Sequence, residues 1–476
     1  MQTAARTLAA ITMVAAGLIA PSAAAADDEL DWGPCPFDAG DSGAECTTLP
    51  VPVDYHDPSA GTIDMAVSRV RAADPEARRG VLVTNLGGPG THLGSAAWFS
   101  TLAPEAVTDA YDVVSFDQRG FGHSSPVSCE LPADQQQLIP WPRQGGFDES
   151  VRVARQVADT CVRQGGPLLA HMGTAYVARD MDLMRQALGA ERISYLGISY
   201  GSYLGTAYAS LFGEHTDRVL LESVASAGRM WRGHWQRSIG PATDRRFQDF
   251  AEYVGDDGAY DHYVSLAERL GREPLTAPDG VLGGGRFRFA IYSALYEDEN
   301  FPLLEELGRA VASGDAETAV RLAGRFGAGR ADPTGRRAAS LLGVTCGDGQ
   351  WPRSTAVYRF QAWLDAARYP LTAGTGSNIW ACAFWPYEVD ERVRADPEGP
   401  RNILIMNNTR DHATPLTNAR ELRASFGERA QLVTVEAGGH GAYLWSANTC
   451  ARDIGTGYLI GGPLPGRDLS CPPEPR

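Results

Sequence analysis

No lysine occurs among the 476 residues, so all 42 basic side chains are arginine. That absence excludes Schiff-base chemistry, the lysine of a phosphate-binding loop and a Ser–Lys catalytic pair. An excess of positive charge is also missing. The formal balance is −16, which argues against a nucleic-acid or anionic-membrane partner and reads as solubility. There is no Cys-x-x-Cys pair, no His-Glu-x-x-His zinc motif and no dinucleotide fingerprint in a supporting context, so neither metal nor cofactor is expected. Long apolar runs are missing too: no stretch reaches the ~20 residues a membrane-spanning helix needs.

What is present starts with an export pattern. Arg6 supplies a positive charge, residues 8–19 form a short apolar core, and Ala24-Ala25-Ala26 offers a small-residue cleavage site before Asp27. Residues 1–26 are therefore expected to be a signal peptide, leaving a secreted, extracellular protein with no membrane anchor. That destination gives meaning to the eight cysteines: Cys35, Cys46, Cys129, Cys161, Cys346, Cys382, Cys450 and Cys471. An oxidising compartment favours disulfides. Spacing does not prove connectivity, but joining neighbours in order would close four modest loops.

Strand-like runs at 47–55 and 62–70 flank a turn-rich break, and then strands and helices alternate. Apolar runs at 81–84, 113–116, 193–196 and 219–221 read as buried strands. Residues 174–188, with Thr174 as a candidate N-cap, and residues 202–212 read as helices. This rhythm predicts an α/β fold with a parallel sheet covered on both faces. It breaks near Gly228, gives way to helical patterns such as 301–313 and 316–326, and resumes with strands at 403–406 and 431–435. The expected organisation is a core in two parts, residues 27–228 and 375–476, with a helical cap at 229–374 over the carboxyl ends of the strands.

Gly197-Ile198-Ser199-Tyr200-Gly201 lies between a strand and a helix with small residues Gly205, Ala207 and Ala209. A nucleophile elbow needs that setting, because the turn is strained and crowded and lifts the serine hydroxyl above the sheet. A serine hydroxyl needs a base and an orienting acid, expected in the chain order Ser, acid, His. His440, in Gly438-Gly439-His440-Gly441, and Asp411, in Asn408-Thr409-Arg410-Asp411-His412, follow late strands and suit those roles. Asp348 and Glu222 are the alternative acids, and His412 is read as a neighbour without a chemical role. Tyr200 and Gly88, the latter in Asn85-Leu86-Gly87-Gly88-Pro89-Gly90, are the expected backbone donors to an oxyanion.

Several motifs in order resemble the tripeptidyl aminopeptidase-like branch of the prolyl-aminopeptidase family of α/β-hydrolases. They are Asn85 to Gly90, Asp117-Gln118-Arg119-Gly120-Phe121-Gly122-His123-Ser124, Ala178-Arg179-Asp180-Met181-Asp182, the elbow, Thr345-Cys346-Gly347-Asp348, Cys382-Ala383-Phe384-Trp385-Pro386, Asp411 to Pro415 and Gly438-Gly439-His440. The resemblance covers nearly the whole chain after the signal segment. It implies an α/β-hydrolase fold with a helical cap, no metal, and release of dipeptides or tripeptides from free N-termini of peptide substrates. It also favours the pairs Cys346–Cys382 and Cys450–Cys471, since the family carries cysteines in those motifs. Leu86, Thr91-His92-Leu93 and Glu222-Ser223 depart from the family pattern and bear on substrate preference. An aminopeptidase must hold a protonated amine, and Glu222, ending a strand just before the cap, is the expected anchor. A carboxylesterase on the same fold, or an inactive binding protein, are the competing readings.

Overall fold

The computed structural model describes residues 30–474 except 137–138, 227, 229, 329–331, 333 and 390. The expected signal peptide, 1–26, lies outside the described residues. In chain order the strands are β1 (Gly33–Pro34), β2 (Glu45–Pro52), β3 (Thr62–Val70), β4 (Gly80–Asn85), β5 (Tyr111–Phe116), β6 (Ile193–Ile198), β7 (Thr216–Glu222), β8 (Leu275–Ala277), β9 (Gly280–Leu282), β10 (Ile403–Arg410), β11 (Ala430–Gly438) and β12 (Leu469–Cys471). Ten of them form one sheet in the order β1-β2-β3-β5-β4-β6-β7-β10-β11-β12. Pairing is antiparallel from β1 to β5 and parallel from β5 to β12.

The parallel strands are apolar on both faces because each face is covered by helices. Successive side chains alternate between two cores. Val81 and Val83, Val219 and Leu221, and Ile403 and Ile405 enter one. Leu82, Leu220, and Leu404 with Met406 enter the other. Helices Thr174–Ala187 and Tyr200–Leu211 cover the first face through residues such as Val177, Met181, Leu204 and Ala207. Ser95–Leu102 and Thr449–Leu459 cover the second through Ala96, Phe99, Ala451 and Leu459.

The expected cap, residues 229–374, divides into two. Its larger part has a core of its own, including Phe247, Phe250, Tyr263, Leu266, Phe287, Leu304 and Leu322. The helix Arg336–Asp348 instead returns to the sheet's first covering layer, placing Ala339, Leu342 and Val344 with Met172 and Ala178. The helix expected from Thr174 does begin there, but its N-cap is Gly173, which has no side chain to offer, and Asp348 accepts from the Thr174 N–H. The Thr174 hydroxyl is engaged by Asp348 and Tyr200 instead.

Four disulfides join Cys35–Cys46, Cys129–Cys161, Cys346–Cys382 and Cys450–Cys471, the neighbours in order. Among the described residues no helix is long and apolar enough to cross a membrane.

Candidate active site

Ser199 stands between β6 and the helix Tyr200–Leu211 with φ 56° and ψ −121°, a conformation that favours glycine. The flanking glycines make this turn sterically feasible. A Cβ at Gly197 would lie 2.3 Å from the Gly201 carbonyl oxygen, and one at Gly201 would lie 2.1 Å from that of Asn85. The backbone N–H of Ser199 donates to the Glu222 carbonyl at 3.1 Å, tying the elbow to the end of β7. The Ser199 side chain is only partly buried and, among the described residues, its hydroxyl holds no hydrogen bond within 3.5 Å. Loose Ser–His contacts are common in ligand-free sites and tighten when a reactant binds.

The loop after β4 lies directly over the serine. A Cβ at Gly87 would meet the Ser199 Cβ at 3.0 Å, so only glycine lets this backbone approach. His92 holds the loop: its Nε2 lies 2.8 Å from the Gly87 carbonyl. Burial pushes the His92 pKa down, and a neutral ring donating from Nε2 fits that contact. Asp117 fixes the same segment by accepting from the backbone N–H groups of His92, Leu93 and His123. The Asp117–Ser124 motif is thus a brace for this loop. The sequence marks His92 only within Thr91-His92-Leu93, as a departure from the family pattern, because a lone histidine carries no periodic signal for the contact it makes.

At the other side of the elbow, β10 and β11 run parallel with Arg410 opposite Gly438, which places the segments that follow them side by side. Asp411 Oδ1 accepts from the N–H groups of Ala413 and Thr414, and Oδ2 accepts from the Thr414 hydroxyl and His440 Nδ1, the last at 2.9 Å. Burial alone would raise the Asp411 pKa. The His440 charge and hydrogen bond and the Thr414 N–H outweigh it and hold the carboxyl below its usual range. For His440, burial lowers the pKa, yet Asp411 and the charge of Glu222 outweigh it and leave the imidazole above its ordinary value. The structure therefore brings Asp411 and His440 into direct contact, beside the elbow that carries Ser199.

Asp348, the alternative acid, makes no such contact. It accepts from Thr174 N, Thr174 Oγ1 and Trp231 Nε1, and burial pushes it up to about 6. His412 is buried with Nε2 2.8 Å from the Tyr292 carbonyl, and burial drives its pKa down to about 3.

Glu222, the expected amine anchor, is engaged by backbone in the structure. Its side chain is fully buried, and its carboxylate accepts from the N–H groups of Ala442, Tyr443 and Leu444. Next to it, Ser223 Oγ accepts from Gly441 N at 2.8 Å. Glu222 and Ser223 clamp the segment that follows His440, and both carboxylate oxygens already accept from that segment. Glu222→Ala would strand three buried donors at a cost of about 2 kcal/mol or more. The expected result is a clearly lower Tm, with Glu222→Gln, which keeps one acceptor oxygen, in between. An unchanged Tm accompanied by a raised KM for free-amine peptides would restore the anchor role.

Above the site, the cap meets the core through Trp141, Ile239, Tyr292 and Ala413. The backbone N–H of His440 donates to the carbonyl of Tyr296, a cap residue whose ring also packs against the imidazole at 5.1 Å. Tyr296, with Gly88, Pro89, Trp231 and Trp235, lines a cavity of about 1410 Å³ between cap and core. Among the described residues no group of three or more His, Cys, Asp or Glu side chains is placed to hold a metal ion.

A mostly parallel sheet with an elbow serine after β6 and an Asp–His pair after β10 and β11 defines an α/β-hydrolase. Residues 80–280 match the family described as alpha/beta hydrolase fold, and residues 370–471 the one described as TAP-like protein. The chain is 30% identical to a tripeptidyl aminopeptidase of Streptomyces coelicolor over 97% of its own length and 89% of that protein. It is 30% identical to carboxylesterase B of Mycobacterium tuberculosis, covering 95% of this chain and 92% of that one. Serine protease Hip1 of the same organism is 28% identical, covering 98% of this chain and 96% of that protein. The chain belongs to the tripeptidyl aminopeptidase-like branch of the α/β-hydrolase family and is a serine hydrolase of the peptidase type.

Proposed function

We propose that Ser199 is the nucleophile, His440 the general base and Asp411 the acid that orients it, in a secreted exopeptidase that releases dipeptides or tripeptides from free N-termini. With Nδ1–H held by Asp411, Nε2 of His440 is the atom left to take the Ser199 proton as Oγ attacks the scissile carbonyl. The same proton then passes to the leaving amine, and water resolves the acyl-enzyme by the reverse path. Tyr200 N–H, in the first turn of its helix, and Gly88 N–H are the proposed donors to the oxyanion. The four disulfides support an extracellular destination.

The observation that carries the substrate class is the cavity of about 1410 Å³ under the cap. Sites for small molecules usually enclose roughly 300–1,000 Å³, so this one suits several residues of an extended peptide better than a small ester. A roof over the site limits how much chain can enter, as an exopeptidase requires. A panel of free-amine peptides, their N-acetylated counterparts and short esters tests the reading. The expected result is efficient cleavage of free-amine peptides with short peptide products. Equal cleavage of N-acetylated peptides would remove the exopeptidase assignment. Turnover of esters with no peptide of any length cleaved would replace it by the carboxylesterase reading.

A further inference from the structure

Chain-wide, acid outweighs base, with 58 Asp and Glu against 42 Arg. The cavity under the cap reverses that balance. Arg143, Arg286, Arg288 and Arg337 line it, against Asp134 and Glu149, and Glu149 is already paired with Arg152. Among the described residues none of these four arginines has a carboxylate within 4.0 Å. Their contacts are backbone carbonyls: Arg143 donates to Asp134, Arg286 to Val281 and Arg288 to Ala267.

Arg288 is the decisive one. It is 8% exposed, its single hydrogen bond to the Ala267 carbonyl is long at 3.4 Å, and its Nε has no partner. Helix Gly284–Ala294 carries it on a cap element, with Phe287 and Ile291 of the same helix anchored in the cap's core. Burial pushes its pKa down to about 10, with Glu268 acting against that from beyond ion-pair distance, so the group is still a cation at neutral pH. A buried guanidinium without a counter-ion is costly, and buried cations are normally paired. Arg288 lines the cavity, and a guanidinium in such a wall is suited to a carboxylate.

We propose that the wall of the cavity around Arg288, with Arg286, Arg143 and Arg337 setting the local field, is a subsite for a carboxylate of the peptide substrate. This rests on the peptidase reading of the site and adds its substrate class: peptides that carry an anionic group, as an acidic side chain or as a free C-terminal carboxylate. The same field disfavours a cationic group there, so a substrate amine lies elsewhere.

The test compares kcat/KM of the intact protein for matched peptides that differ in one charge: Glu against Gln within the chain, and C-terminal acid against C-terminal amide. A charge-assisted contact predicts a preference of about tenfold or more for the anionic member of one pair. The Glu/Gln arm reports a side-chain source and the acid/amide arm a C-terminal one. In Arg288→Gln that ratio is expected to fall to about one, while Arg71→Gln, an exposed arginine that does not line the cavity, keeps it. Equal rates within both pairs in the wild type, or a ratio that survives Arg288→Gln, would overturn the subsite. Failure to cleave any peptide, neutral or anionic, would instead overturn the peptidase reading. If Arg288→Gln does not fold, Arg286→Gln is expected to reduce the same ratio, and no reduction there would count against the proposal.

Discussion

Ser199→Ala is expected to lower kcat on the order of a millionfold while leaving a folded protein. The chemical ground is that no other hydroxyl shares the elbow position above β6, where the turn and the loop carrying Gly87 converge on Ser199. The structural ground is that the Ser199 hydroxyl holds no hydrogen bond among the described residues: its backbone N–H and carbonyl hold the turn, through Glu222 and Ser202, and both survive in alanine. Loss of rate with an unchanged Tm and circular dichroism is therefore the expected signature. His440→Ala should cost about as much, and the double variant little more, because base and nucleophile act as one unit and their losses do not add. A serine-directed phosphonate should label the wild type and neither Ser199→Ala nor the double variant. A Ser199→Ala protein that keeps a tenth of the wild-type kcat would send the nucleophile elsewhere.

The sequence showed the strands wherever apolar residues run together, and lost them where polar residues do structural work. β10 was visible only as far as Met406, yet it continues to Arg410. Asn407 and Asn408 extend it while buried, because Asn407 accepts from Val224 N, and Asn408 donates to the carbonyls of Gly439 and Gly441. Hydrophobic patterning has no means of marking an asparagine that holds two loops together. The elbow and the late Asp and His were legible for another reason: each sits just past a strand in glycine-rich or turn-forming surroundings, and that context survives in the sequence.

Glu222 shows a different limit. Its position at the end of β7 is legible from the apolar run, and the side it faces from the alternation along the strand. Alternation along β7 puts Leu221 in one core and Leu220 in the other, so Glu222 points to the side of Leu220. Ala442, Tyr443 and Leu444 belong to that same side, and their N–H groups are the partners found. The period of two already contained this answer. The cationic wall of the cavity, by contrast, was not legible at all, since it joins Arg143 to Arg286, Arg288 and Arg337 across distant segments.

Asp411→Asn is expected to lower kcat by about 10⁴-fold and to move the acid limb of the remaining activity to lower pH. The amide can satisfy Ala413 N and Thr414 N only with its oxygen, which turns its NH₂ toward Thr414 Oγ1 and His440 Nδ1. Nδ1 must then accept, the proton moves to Nε2, and the ring presents a donor where Ser199 needs an acceptor. The pH effect follows from the forces on His440. Activity needs the neutral imidazole and so is lost as pH falls through its pKa, which in the wild type stands above the ordinary 6.5. Burial opposes the charged ring, and Asp411 is the foremost group favouring it. Removing that charge lets burial prevail, with Glu222 still limiting the shift. A profile of kcat/KM against pH, measured on both proteins with one neutral peptide, reads the rate loss and the displacement together. An acid limb in the variant at or above the wild-type position would mean that Asp411 does not set the charge state of His440, and an undiminished rate would remove it from the mechanism.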